Sequence, residues 1–369
     1  MLEPTWTAVK HHRRLHQIIA TLVRFGAQDV VVRLGLGRLL AQVSAEPGEA
    51  LPASSAQRVR MALEALGPTF IKCGQILASR SDILPPHWVE ELQALHSQAS
   101  TVPWEALHVQ VLEDLGCPLE EVFAVFDTQP LAAASMAQVY RARLHTGEEV
   151  VVKVQRPGLR GKMTADLQLL ESVAQLIEQN EALAVYQPRQ MVRQLARAML
   201  QELDFTQEGQ HCDSVAQHFE HDPAIVIPRI HWAYSSQRLL VQEFLPSFTP
   251  LEREALIAQG LDPSLLAQRG AKAFIKMLLE DGLFHGDPHP GNLRAMSENR
   301  VGFIDFGMVG RLDERRRLEV MTFMRALTEG STETLISVLI DWQGERVQDV
   351  TQIERAARQY MAQHTRQPL

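Results

Sequence analysis

Cysteine is scarce in this sequence: there are three in 369 residues, and Cys73, Cys117 and Cys212 lie far apart with no CxxC pair. That spacing argues against a disulfide framework or a zinc site and fits a reducing compartment. Positive charge is in deficit, with 36 Lys and Arg against 44 Asp and Glu and a formal net charge of −8. A nucleic-acid partner is therefore not expected. No uncharged apolar run approaches the roughly 18–20 residues needed to span a bilayer. The start, MLEPTWTAVKHHRRLH, has no apolar core before its basic cluster, so no signal peptide is expected. Internal repeats and low-complexity tracts are missing too. What is there is an ordinary soluble composition, 46% hydrophobic and 22% charged, long enough for two or three packed lobes.

The most informative stretch is residues 285–307, HGDPHPGNLRAMSENRVGFIDFG. Asn292 lies five residues after Asp287, and Asp305 thirteen after Asn292. That is the layout of a kinase catalytic loop followed by a metal-binding loop. Phosphoryl transfer needs a carboxylate near the acceptor or its water, which suits Asp287. It needs oxygen ligands for Mg²⁺, which suit Asn292 and Asp305. Residues 300–304 read as a short buried strand that delivers Asp305 to the site, and Asn299 turns the chain before it. Either element alone is a weak signal; both at this spacing are a strong one.

Residues 1–43 are basic against an acidic whole, with Lys10, Arg13, Arg14, Arg24, Arg33 and Arg38 facing Glu3 and Asp29. Their apolar residues follow helical spacing, so the segment is either a membrane-surface helix or a helix docked on the body with a solvated basic face. Residues 44–56 read as a linker or loop. A helix follows from about Ala56 to Leu66, and Gly67-Pro68 breaks it. In the next helix Lys72, Gln75 and Ser79 share a polar stripe, which either faces a nucleotide or is merely solvated. Another helix starts in Trp88–Leu95.

From residue 122 the period becomes that of strands. After the turn at residues 127–130 comes LAAASMAQVYRA, then a strand at residues 149–154 carrying Lys153. A strand lysine there matches the kinase lysine that reaches the α/β-phosphates. The loop before it holds Ala132, Ala133, Ala134 and Ser135 where a kinase has glycines, and those methyl groups crowd the backbone approach that glycine permits. Residues 163–220 read as helical, and Glu202 and Glu208 are both candidate partners for Lys153. Asp204 and Glu208 share a helical face. Residues 224–230 and 238–244 read as two strands joined by a turn. The second ends at Glu243 and Phe244, where adenine would meet the backbone of an interlobe hinge. Helix resumes through residues 251–282 and again over 313–364.

Together these residues resemble the UbiB-type atypical kinases linked to ubiquinone biosynthesis. The resemblance covers roughly residues 56–312 and rests on K-x-G-Q at 72–75, AAAS at 132–135, Val151-Val152-Lys153, Glu202-Leu203-Asp204 with Glu208, HGDPHPGN and Asp305-Phe306-Gly307. It implies an α+β, bilobal protein-kinase-like fold with its own N-terminal helical extension. The expected organisation is basic helices and linker at 1–55, the extension at 56–121, an N-lobe at 122–245 and a C-lobe at 246–369. The cofactors implied are ATP and Mg²⁺. Lys72 and Gln75 would belong to a helix covering the place of a protein substrate, so ATP hydrolysis in support of lipid or complex handling is expected rather than protein phosphorylation. Implied partners are quinone-precursor lipids, an anionic membrane surface and quinone-biosynthesis proteins, with a cytoplasmic, peripheral location at the inner membrane. Many family members end in transmembrane helices, and this sequence contains none. Two rival readings are a small-molecule phosphotransferase of the aminoglycoside or choline kinase type, and a nucleotide-gated lipid-binding protein without chemistry.

Overall fold

The computed structural model describes residues 3–33, 37, 53–78, 84–95, 101–247, 253–343 and 350–364; for residues 3–13, 343, 363 and 364 it describes the backbone alone. Most of the predicted linker, Ser79 of the polar stripe, and the side chains of Lys10, Arg13 and Arg38 lie outside the described residues. The chain divides into two units, residues 1–207 with 230–244, and residues 208–229 with 245–369.

The first unit opens with α1 (Glu3–Arg24) and α2 (Gln28–Arg33). Of the two alternatives for the basic segment, α1 takes the docked one. Arg14 donates to both carboxylate oxygens of Asp166 at 2.7 and 3.0 Å, and Asp166 is only 2% exposed. Next come α3 (Ser55–Leu66), α4 (Pro68–Ala78) and α5 (Pro86–Gln93). Ser54 caps α3 by accepting from the Gln57 N–H, and Gly67 ends it at φ +98°, a conformation an L side chain resists. α4 and α5 each begin on proline, where the missing N–H has no helical partner to lose. These helices fit closely at Gly74. A Cβ there would stand 2.2 Å from a Leu95 methyl and 2.9 Å from a Leu63 methyl.

α6 (Trp104–Leu115) and α7 (Leu119–Val122) lead into the strands β1 (Phe123–Phe126), β2 (Ala132–Ala133), β3 (Ala137–Leu144) and β4 (Glu149–Gln155). Beyond β5 (Ile225–Val226), β6 (Leu239–Glu243) completes the antiparallel order β1-β3-β4-β6, with β2 paired to β3. Alternation sorts the faces of β4. Val150, Val152 and Val154 are fully buried against Leu107 and Val111 of α6, while Lys153 points to the other side. The helices α8 (Leu159–Ile177), α9 (Glu181–Ala184) and α10 (Pro188–Glu202) follow β4, and α11 (Phe205–His218) follows the E-x-D motif.

The structure corrects the hairpin expected from residues 224–244. The second expected strand forms as β6, but of residues 224–230 only Ile225 and Val226 form a strand, and it pairs in parallel within the second unit. Pro228 has no N–H to give a ladder, and Ile230 makes just one isolated bridge to Gln242.

In the second unit, α12 (Arg253–Ala258) and α13 (Pro263–Lys276) are followed by a π turn over Met277–Asp281, which Gly282 ends at φ +65°. β7 (Leu283–His285), β8 (Leu293–Met296), β9 (Arg300–Phe303) and β10 (Val309–Arg311) frame residues 285–307. β7 pairs with β10, while β9 lies between β5 and β8. The helices α14 (Glu314–Glu329), α15 (Thr332–Gln343) and α16 (Val350–His364) pack through Ala326, Leu335, Ile336, Ala357 and Met361. Among the described residues, no helix is long and apolar enough to cross a membrane.

Candidate active site

In the first unit the two short motifs meet. Lys72 Nζ, from the middle of α4, donates to Glu202 Oε1 at 2.6 Å, with side-chain exposures of 13% and 27%. Glu202 is thereby engaged by Lys72. Gln75 turns elsewhere: its Nε2 donates to the Leu95 carbonyl at 2.9 Å, tying α4 to the end of the α5 segment. The stripe that the two residues share therefore splits between two partners. Asp204 lies just before α11 rather than on its face. Its Oδ1 accepts from the Thr206 N–H at 3.1 Å and the Thr206 hydroxyl at 2.6 Å, which makes it a cap.

Lys153 sits across from Val139 and Leu240 in the sheet, with its ammonium 5.3 Å from the ring centre of Phe205. The alanine segment is a hairpin: Ala132 and Ala133 pair with Val139 and Gln138, and the Ala134 N–H donates to the Ala137 carbonyl at 2.8 Å. Ser135 is buried. Arg156 holds this turn, its Nε donating to the Ala134 carbonyl at 2.9 Å and its N–H to the Met136 carbonyl. Burial holds the Arg156 guanidinium below its usual value, with Tyr140 opposing the shift. At the end of β6 the Phe244 N–H donates to the Glu149 carbonyl at 3.0 Å and its ring carries Arg141 at 4.5 Å, while Glu243 pairs with Val150.

In the second unit, the HGDPHPGN loop is braced from within. His285, 1% exposed, donates from Nε2 to the Ile304 carbonyl at 3.0 Å and accepts the Asp287 N–H on Nδ1 at 3.1 Å. One imidazole thus links the segment of Asp287 to the residue before Asp305. Asn292 Nδ2 donates to the Asp287 carbonyl at 3.1 Å, and the Asn292 carbonyl accepts the Ile304 N–H at 3.0 Å. With its nitrogen used as donor, the amide keeps Oδ1 for an acceptor role. Asp305 has φ +61°, in the left-handed region that Asp tolerates better than most residues. Phe306, 1% exposed, packs on His285 with ring centres 5.1 Å apart. A Cβ on Gly307 would lie 3.3 Å from Asp305 Oδ1 and 3.8 Å from Glu208 Oε2, which places both carboxylates around this glycine.

Motif spacing and periodicity assign no role to His285, Arg156 or Phe205. His285 stood inside the motif, two residues before Asp287, and that spacing was the available signal. Nothing in periodicity marked Arg156, because its partner is the backbone of a turn formed 22 residues earlier.

The chain matches known proteins over most of its length. The ABC1 atypical kinase-like domain matches residues 94–339. An uncharacterised protein of Synechocystis is 38% identical over 77% of this chain and 49% of its own length. "Protein ACTIVITY OF BC1 COMPLEX KINASE 7, chloroplastic" of Arabidopsis thaliana is 32% identical over 83% of this chain and 44% of its own. "Probable protein kinase UbiB" of Pseudomonas aeruginosa is 35% identical over 82% and 59% respectively. The chain spans about half the length of the curated relatives it matches. Among solved structures, the complex of Rv3197 with erythromycin from Mycobacterium tuberculosis superposes with a TM-score of 0.58 at 26% identity, covering 84% of this chain and 78% of that one. The expected α+β kinase-like fold is borne out.

Proposed function

The chain belongs to the ABC1 atypical kinase-like family, and from that premise we propose that it binds Mg-ATP and passes the terminal phosphoryl group to water or a small acceptor. Its relatives named UbiB protein kinase support phosphoryl transfer. The family resemblance extends this to a role in ubiquinone biosynthesis through lipid or complex handling, with quinone-precursor lipids and an anionic membrane surface as partners.

The observation that carries the reading is the 2.6 Å pair between Lys72 and Glu202, which joins the K-x-G-Q and E-x-D motifs. A charge-assisted bond of this kind holds α4 in one place. A transferase with an open acceptor side has no use for such a helix, which is why water or a small acceptor is favoured over a protein.

The residues present suit a hard divalent cation. Asn292 keeps its amide oxygen, Asp305 brings a carboxylate from a loop held by Ile304, and Mg²⁺ is content with one or two protein ligands and water. When bound, the ion supplies positive charge to the phosphate oxygens. Asp287 would orient the attacking hydroxyl or water and take its proton. Lys153 would hold the α/β-phosphates.

The test is Mg-dependent nucleotide binding and turnover by the full chain, with and without anionic liposomes and quinone-precursor mimics. Asp305→Asn keeps a residue type that accepts positive φ but removes the charge. It is expected to lose Mg-dependent ATP binding while its melting curve persists. Unchanged Mg-ATP affinity in calorimetry overturns the metal assignment, and ready labelling of generic proteins overturns the acceptor assignment.

A further inference from the structure

α8 and α10 lie side by side and antiparallel, and their charges form a ladder. Arg189 meets Glu178 at 3.9 Å and Arg193 meets Glu171 at 3.0 Å. Residues four apart on a helix share a face, so the stripe continues from Arg189 and Arg193 to Arg197. The acids of α8 stand seven apart, and the next position on that step is Thr164, so the ladder ends there. Arg197 and Arg160 of α8 line one groove of about 350 Å³, together with Leu200, Gln201, Asp204, Gln207 and Gln237. Two cations thus border one groove beyond the end of the ladder.

Of the nearby acids, Asp166 of α8 is committed to Arg14, while Asp204 stays a carboxylate in the lining with its Oδ1 accepting two bonds from Thr206, so the groove sets two cations against one anion. The side chains of Arg160, Arg197, Gln201, Gln207 and Gln237 make no hydrogen bond or ion pair among the described residues. Converging donors around two guanidiniums match an oxyanion with several acceptor oxygens, and guanidinium forks match phosphate in particular.

We propose that this groove binds a phosphate group carried by a small polar ligand or a lipid headgroup. The site belongs wholly to the first unit and is independent of the nucleotide reading. Its occupant would touch Gln201, the neighbour in sequence of Glu202.

The experiment uses the full chain without nucleotide. Inorganic phosphate is titrated in calorimetry at constant ionic strength, against chloride as control. In a second arm, vesicles containing phosphatidic acid are compared with phosphatidylcholine vesicles. Parent protein is expected to bind phosphate, and Arg160→Gln or Arg197→Gln to weaken it about tenfold or more, the loss of one charge-assisted fork. Arg193→Gln, which breaks the ladder outside the groove, should lower the melting temperature and leave binding unchanged. Arg160→Glu sets a second acid in the groove that Arg197 lines, so it should abolish binding without lowering the melting temperature. Variant-sensitive binding to vesicles alone identifies the lipid headgroup as the source of the phosphate, and binding to the free ion identifies a soluble ligand. The proposal is overturned if chloride reproduces the phosphate signal, if neither phosphate nor phosphatidic acid binds, or if both arginine variants bind as the parent does. None of these readouts involves ATP, so a failed nucleotide assignment leaves them intact.

Discussion

Lys72 and Cys73 are neighbours in sequence with opposite fates. Lys72 reaches a carboxylate at 2.6 Å and stays partly in contact with water. Removing it strands Glu202, which we expect to cost about 1–3 kcal/mol, between the values for exposed and buried pairs. A double-mutant cycle of Lys72→Ala with Glu202→Gln in urea checks this: coupling near zero means the pair contributes nothing, and a far larger drop means Lys72 is part of the core. Turnover measured on the same variants separates a change in catalysis from a loss of folded protein. Cys73 turns inward, and burial first, then the charge of Asp166, pushes its thiol up to about 12. At pH 8 its thiolate fraction is on the order of one in ten thousand, and the thiolate is the reactive species. Iodoacetamide should therefore label the half-buried Cys117 well before Cys73, with Cys73 gaining reactivity only as pH rises toward its shifted value. Peptide mapping that finds both modified at equal rates at pH 8 contradicts this.

At the scale of elements, two glycines decide how segments meet. Gly74 is the third residue of K-x-G-Q, and its missing side chain lets α4 approach Leu63 and Leu95. Interiors are too close-packed to absorb a methyl at 2.2 Å without movement. Gly74→Ala should cost about 1–3 kcal/mol by overpacking, seen as a lower denaturation midpoint. A midpoint matching the parent means the two leucines rotate away freely. Gly282 ends the π turn ahead of β7 with φ +65°, and a Cβ there would lie 2.6 Å from the Leu312 carbonyl. Backbone cannot rotate away as a leucine does. Gly282→Ala adds left-handed strain of about 1–2 kcal/mol to that clash and should be the more damaging variant. Side-by-side unfolding curves test the order, and the reverse order counts against it.

Across the whole molecule, the contacts that close the fold link distant parts of the chain. Arg14 and Asp166 are 152 residues apart. Arg14 also donates to the Leu66 carbonyl and lies over the ring of Phe70, so one side chain fixes α1 on α3, α4 and α8. Arg14→Leu leaves a carboxylate buried and unpaired, a change worth about 3–5 kcal/mol when the site is dry. We expect a large loss of stability, and early proteolysis of the freed N-terminal helix. A midpoint within error of the parent means that water solvates Asp166 instead.

Residue spacing and periodicity alone located the motifs and the helix or strand identity of most elements. These are local properties: spacing within one loop, period within one element, proline and glycine at element ends. Partner choice came from the tertiary structure. It gave Glu202 to Lys72 across 130 residues, sent Gln75 to a backbone carbonyl, made Asp204 a cap, moved residues 225–226 out of the expected hairpin and docked α1 through Arg14. The physical reason is the same in each case. Periodicity reports which face of an element is apolar, whereas which of several acids a cation meets depends on distances that exist only after the chain has closed.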